Sequence, residues 1–320
     1  ISDSLGQFSI KDIPSNTYTV IISQVGYKTI SRFNLVIGSG NEQVISVEME
    51  PDPNVLQSVV VSARKKTVRA TSIETPLSVQ KLTTEEIKSN PGGNFDISRV
   101  IQSLPGVGGT AGSVGGFRND IIIRGGAPNE NVYYLDGIEV PVINHFSTQG
   151  SAGGPTGILN VSFIEDVKLS SSAFDARFDN AVSSVFQFRQ KTGNPARTQA
   201  NLRLSATEFA AMVDGPLSRK KKITYLASVR RSYLQFLFRA FDLPIRPDYW
   251  DFQTKVNYPI NKKITLNLVG LGAIDEFSFA APREASPEKL YIINANPSIN
   301  QKTYTVGMNL RKTIPNGYWQ

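Results

Sequence analysis

The hydrophobic rhythm of the chain changes twice. In residues 1–50, short β-rich runs at 7–10, 17–24, 28–35 and 43–50 are divided by Gly6, Pro14, Gly26 and Gly38. β-branched and aromatic residues between such breaks predict about four strands, which makes this segment part of a β-sandwich rather than a whole one. Pro51-Asp52-Pro53-Asn54 ends that rhythm, because proline cannot donate to a strand ladder. Residues 51–70 read as a linker. Within it, Gln57, Ser58, Val59, Val60, Val61 and Ser62 lie in a β-prone run before a basic stretch. The run is either the last strand of the first domain or a segment that adds as a strand to another protein.

Residues 71–195 mix periods. Thr83-Thr84-Glu85-Glu86 is a capping box that opens a helix running to about Asn90. A second helix, with Asn94 as its expected cap, places Ile97, Val100, Ile101 and Leu104 at i, i+3, i+4 and i+7. Glycines then crowd the chain from Gly106 to Gly126, which predicts loop. A strand ends at Ile123-Arg124-Gly125-Gly126. Another, over 131–135, ends in the hairpin signal Asp136-Gly137. A loop over 141–156 precedes strands near 164–169 and 182–189. The zone reads as an α+β domain with two long loops.

From 196 to 320, period two takes over. Phe252, Thr254, Val256 and Tyr258 alternate with Asp251, Gln253, Lys255 and Asn257; Tyr304, Val306, Met308 and Leu310 repeat the pattern. Connections at 214–221 and 259–262 are short, and those at 232–249 and 273–300 are long. About five strands of about ten residues, joined by alternately short and long connections, is the pattern of a transmembrane β-barrel. No apolar run approaches the roughly 20 residues of a spanning helix.

Composition narrows the chemistry. The chain has 320 residues, no cysteine and one histidine. Thiolate metal sites, cysteine nucleophiles and multi-histidine metal sites are thereby excluded. No catalytic constellation, cofactor site or metal site is read. The net charge of +7 comes from 34 basic and 27 acidic side chains. Its densest cluster, Arg219-Lys220-Lys221-Lys222, falls in a short turn without interleaved aromatics and does not read as a nucleic-acid patch. Gly106-Val107-Gly108-Gly109-Thr110-Ala111 lacks the strand before and helix after that a dinucleotide fingerprint needs. Neighbours on a strand face opposite ways, so Glu165-Asp166 is a poor acid–base pair. His145 lies in a loop, as an exposed side chain or as a substrate contact. Arg230, Arg231 and Arg239 read as rim charge near a strand mouth, or as contacts for an anion.

The order of several motifs carries a resemblance. Thr75-Pro76-Leu77-Ser78-Val79, Leu104-Pro105-Gly106-Val107, Ile123-Arg124-Gly125-Gly126, Tyr134-Leu135-Asp136-Gly137-Ile138 and Phe163-Ile164-Glu165-Asp166-Val167 follow one another over residues 71–195. This zone resembles the plug domain of TonB-dependent outer-membrane receptors. The phrases Asp3-Ser4-Leu5-Gly6-Gln7-Phe8 and Val25-Gly26-Tyr27-Lys28 resemble the carboxypeptidase-regulatory-like domain, a β-sandwich extension without peptidase function. Together with Arg230-Arg231-Ser232-Tyr233 they point to the Bacteroidetes branch. Phe178-Asp179 stands where the family has Tyr-Gly, and the Ala-rich segment of its glycan importers is absent.

The resemblance implies a mainly β protein made of a partial sandwich, an α+β plug and the first strands of an antiparallel transmembrane barrel. Family barrels have about 22 strands, so the chain is expected to be a fragment. The implied activity is energised import of a small molecule, glycan or peptide across the outer membrane, with extension and plug facing the periplasm. The alternative is a non-transporting plug-like module in a larger assembly. The implied partners are a TonB-type periplasmic energy protein at residues 57–62, outer-membrane lipid and a surface lipoprotein. Arg118, Asn119, Asn144, His145 and Phe146 are the expected substrate contacts. Arg124, Gly125, Gly126, Asp136, Gly137 and Glu165 are expected to hold the plug together, with Arg124 buried against Glu165 or Asp136.

Overall fold

The computed structural model describes residues 2–3, 6–11, 13–14, 16–37, 44–45, 47, 49, 79–90, 96–109, 119–154, 156–171, 174, 177–314 and 317–320. They belong to two units, 1–65 and 66–320. In the first, β1 (Asn16–Ile22) and β2 (Ile30–Ile37) form an antiparallel pair with a register shift between Tyr18 and Val20. Residues 7–10 carry no strand, and half of 43–50 lies outside the described residues.

The second unit begins with β3 (Val79–Thr83), which runs directly into α1 (Thr84–Ser89). The capping box is present: Thr83 accepts from the Glu86 amide, and Glu86 Oε2 accepts from the Thr83 amide at 2.9 Å. The cap of α2 (Ile97–Ile101) is Asp96 rather than Asn94, which lies outside the described residues; Asp96 Oδ1 accepts from the Ser98 amide at 2.9 Å. β4 (Val107–Gly108) pairs with β5 (Ile122–Ile123). Then come β6 (Asn131–Leu135), β7 (Ile138–Val140), β8 (Ile164–Ser170) and β9 (Ser184–Gln190). They join β3 in a sheet of order β3-β8-β9-β6-β7, in which only β6 and β9 run parallel. Asp136 and Gly137, at φ 51° and 85°, make the tight turn between β6 and β7. Two successive positive φ values are what such a two-residue turn demands.

The remaining strands form a separate antiparallel wall. They are β10 (Gln199–Leu204), β11 (Glu208–Ser218), β12 (Ile223–Ser232), β13 (Ile245–Pro259), β14 (Ile264–Phe279), β15 (Ile299–Ile314) and β16 (Gly317–Trp319). Each pairs with the next in sequence. The expected five strands are thus seven among the described residues. β10 and β16 are short, and the Gly215-Pro216 break obscures the alternation of β11. The long connections carry α3 (Leu234–Ala240) and α4 (Pro287–Ala295).

The α+β core sets the position of the wall. Ile97, Val100, Ile101 and Leu104 share a cluster with Leu135, Val167, Phe186 and Phe188, and Val269, Leu271 and Ala273 of β14 join the same cluster. Each such apolar side chain taken out of water contributes about 1.5–3 kcal/mol. One continuous core therefore ties the domain to the wall.

Candidate functional site

The wall faces the α+β domain with an unusual mixture of side chains. Along β13, Tyr249, Asp251, Gln253 and Lys255 are buried, while Trp250 and Phe252 between them are exposed. Alternation places these two sets on opposite faces. Buried polar groups need partners, and here the α+β domain supplies many of them in two clusters.

The first cluster lies toward the long connections. His145, with no exposed surface, stands between two carboxylates: Nδ1 is 2.6 Å from Asp275 Oδ1, and Nε2 is 3.1 Å from Asp251 Oδ2. Tyr249 stacks on the imidazole at 3.9 Å. The Phe146 amide donates to Asp275 Oδ2 at 2.9 Å. Arg230 Nε donates to Asp251 Oδ2 at 2.6 Å, and its Nη2 donates to the Gly157 carbonyl. Glu208 completes the group, accepting from Tyr249 Oη at 3.1 Å and from Arg203 at 2.6 Å. Burial opposes charge on His145, but hydrogen bonds and attraction from Asp251 and Asp275 outweigh it and raise its pKa above the ordinary imidazole value.

The second cluster lies toward the short turns. Lys255 Nζ is 3.1 Å from Asp136 Oδ2 and donates to the Gln190 carbonyl at 2.9 Å. Asp136 also accepts from the Gln190 amide and side chain at 3.0 and 2.9 Å. Gln253 donates to Gln190 Oε1 at 2.7 Å and accepts from the Asn160 amide at 2.8 Å. Asn309 of β15 donates to the Asp136 carbonyl at 2.7 Å.

Several sequence expectations change. His145 is not an exposed loop side chain, because the loop folds back under the wall. Asn119, Asn144 and Phe146 are buried with it. Asn119 donates to Asp96 Oδ2 at 2.7 Å and accepts from Gln102 at 2.6 Å. Asn144 accepts from Ser98 Oγ at 2.7 Å and donates to the Gly154 carbonyl at 2.9 Å. These four side chains are interior ties in this arrangement, not an open contact surface. Arg118 lies outside the described residues, as do Gln57, Ser58, Val59, Val60, Val61 and Ser62.

Arg124 is exposed and left-handed at φ 50°, next to Gly125 and Gly126. It is not the buried partner of Glu165 or Asp136. Glu165 instead lies 3.5 Å from Arg189, which also meets Asp166 at 2.6 Å. A register shift between Ile164 and Asp166 lets both carboxylates approach that cation. Asp136 and Gly137 form the turn that meets Lys255. Arg230 is buried rather than at the rim, whereas Arg231 is partly exposed, pairing with Asp248 at 2.8 Å and lying over Trp250. Arg239 is exposed on α3. Asp251, Gln253, Lys255 and Asp275 were missed as functional residues. For Asp251, Gln253 and Lys255 the signal was present in the alternation of β13, polar positions opposite aromatic ones; Asp275 lies on β14 beside Ile274 and Glu276.

Comparison with known proteins places both zones. The family model described as TonB-dependent Receptor Plug Domain matches residues 71–185, and the CarboxypepD_reg-like domain matches 1–61. The second match takes in residues 57–61. Among curated proteins, no sequence relative matches. Of solved structures, a single-residue variant of the ferric enterobactin receptor PfeA from Pseudomonas aeruginosa is 19% identical. It aligns with a TM-score of 0.53 over 75% of this chain and 39% of its own. The outer membrane transporter YddB from Escherichia coli is 14% identical, with a TM-score of 0.51 over 74% and 37%. The pyoverdine-bound receptor FpvA of P. aeruginosa is 16% identical, with a TM-score of 0.50 over 76% and 32%. The chain therefore spans well under half the length of each of these receptors.

Proposed function

We propose, from the premise that this chain carries a TonB-dependent receptor plug behind a carboxypeptidase-regulatory-like domain, that it works in gated import across the outer membrane. The observation that carries this reading is the plug match at 71–185 together with a wall whose buried face is fitted to that plug. Apolar exposure on the opposite face suits lipid: Tyr304, Val306 and Met308 are 81%, 84% and 68% exposed. At about 3.3 Å per residue, the 16-residue strands β14 and β15 reach about 50 Å, enough to cross a hydrocarbon core of about 30 Å when tilted.

The work of such a protein is a change of state rather than bond chemistry. Substrate binding on the long-connection side must favour a plug state that a periplasmic energy protein of TonB type can pull. The contact for that protein is the stretch from Gln57 to Ser62, with the plug on the periplasmic side. The enterobactin and pyoverdines bound by two of the neighbouring receptors support a small molecule as cargo, with glycan and peptide retained as alternatives.

The test deletes residues 57–62 in the intact receptor and measures uptake against surface binding in the same cells. Uptake lost with binding retained is the expected result. In parallel, Val59→Cys introduces a cysteine into a chain that has none, and it should cross-link to the energy protein. Unchanged uptake without cross-linking would remove this segment from the mechanism. If the intact receptor binds and never accumulates, the non-transporting module takes its place.

A further inference from the structure

We propose that His145 is a protonation-controlled latch that fastens the plug loop over 141–157 to the barrel wall. The geometry carries this inference. A neutral imidazole has one N–H and one lone pair, yet both ring nitrogens of His145 lie within hydrogen-bond distance of a carboxylate oxygen. Two donors are satisfied only by the imidazolium form. A neutral ring would set a lone pair against Asp251 or Asp275 inside a site with no exposed surface.

The surrounding charge agrees. Asp251 and Tyr249 approach from β13, Asp275 from β14, Arg230 from β12 and Glu208 from β11. Arg203 of β10 lies against Glu208. Within the plug, Asp96 approaches the Gly157 side of the cluster, and burial raises its pKa. With His145 charged, the three wall carboxylates Asp251, Asp275 and Glu208 meet the three cations His145, Arg230 and Arg203. With His145 neutral, this buried group carries an uncompensated negative charge, which an interior tolerates poorly.

The latch is tied to the loop on both sides. The His145 amide donates to the Thr156 carbonyl at 2.9 Å, and its own carbonyl accepts from the Gly154 amide. Phe146, at φ 56°, joins an apolar cluster with Tyr249, Phe277, Leu234 and Phe238 of α3, and Ile292 of α4. Movement of the helices in the long connections therefore bears on the residue beside the latch. The sign follows from the raised pKa. A group held more basic in the folded state contributes fully below its ordinary pKa and loses that contribution as pH rises through the folded value. The latch holds below the raised imidazole value and loosens as pH rises through it.

The inference does not depend on transport, so its test can fail independently of the import reading. The full chain, purified in detergent with ¹⁵N-labelled histidine, is titrated from neutral to alkaline pH. The His145→Gln variant assigns the signal. The expected spectrum shows both ring nitrogens protonated above the ordinary histidine range. Hydrogen-exchange protection factors over 141–157 should fall as that signal titrates. In His145→Gln the same segment should be less protected, with no pH step. Asp275→Asn should move the titration to lower pH while the rest of the plug keeps its protection, which guards against a His145→Gln variant that does not fold. A ring that loses its proton at or below the ordinary histidine value, or a protection step that persists in His145→Gln, overturns the proposal.

Discussion

The plug and the wall solve opposite problems with the same backbone. In the plug, the central strands bury large apolar side chains: Phe186 and Phe188 of β9, Leu135 of β6 and Val167 of β8 are nearly fully buried. In β13 of the wall the rule is inverted, with Asp251, Gln253 and Lys255 inside and Trp250 and Phe252 outside. A water-soluble domain hides apolar surface from solvent. A strand whose inward face meets a protein partner with polar groups of its own, and whose outward face meets lipid as proposed above, has reason to hide its polar side chains instead. The interface is the place where both rules meet: Val269, Leu271 and Ala273 complete the plug's apolar core, and the charged positions supply its polar ties. Separating the plug from the wall would expose both apolar surface and buried ion pairs.

That contrast can be tested by substitution. The largest effect belongs to the plug core: Phe188→Ala should destabilise the folded protein by about 3–5 kcal/mol in denaturant unfolding. A smaller cost would mean that β9 is not the centre of the core. On the outward face, Val306→Lys should cost about 2–4 kcal/mol in a bilayer if the residue lies at mid-depth. A change within about 0.5 kcal/mol in lipid would identify that face as wetted surface instead.

Gln253→Ala tests the inward face at its most polar point. It removes partners from the Asn160 amide and from Gln190. Leaving such buried groups unpaired costs about 1–3 kcal/mol. Unfolding or plug-segment hydrogen exchange reads this loss, and Gln253→Glu should restore the acceptor for the Asn160 amide but not the donor to Gln190.

The smallest effect lies outside both faces, in the long connections. Asp242 accepts from the Arg283 and Glu284 amides and from Lys289 Nζ, linking the connection that carries α3 to the one that carries α4. The Lys289 hydrogen bond leads in lowering its pKa from 3.8 to about 2. A depressed pKa gives a contribution that is present above the ordinary value and lost as pH falls through the folded one. Hydrogen exchange at 283 and 284 should therefore lose protection between about pH 4 and 2, and Asp242→Asn should abolish that step. An unchanged profile in the variant would reassign the step to another group.

Local features were legible from sequence because their causes lie within a few residues. The capping box at Thr83 and Glu86, the Asp136-Gly137 turn, the helical spacing of Ile97, Val100, Ile101 and Leu104, and the alternation of β13 all belong to this class. The second cap was misplaced by two residues because both Asn94 and Asp96 are good cap formers, and Asp96 is the one that caps α2, accepting from the Ser98 amide. β3 was missed because its ladder partner, β8, is far along the chain. The interface was less legible still. His145 meets carboxylates 130 and 106 residues away, and no local rule pairs a loop histidine with alternate positions on two distant strands. Arg124 misled for the opposite reason: its motif suggested burial, while its left-handed backbone turns beside two glycines at the surface.

Gly153 shows how the buried loop restricts future sequence change. At φ 111°, a Cβ there would lie 2.7 Å from Asn144 Cβ and 3.0 Å from the carbonyl oxygens of Asn144 and His145. Every substitution at this position adds that atom, so the restriction applies to any of the other amino acids. Diversity in the loop is accordingly channelled to its exposed tip at Thr148 and Gln149, since Gly150 sits at φ 75°. Sequence change has freedom there, while the return path beneath it stays fixed.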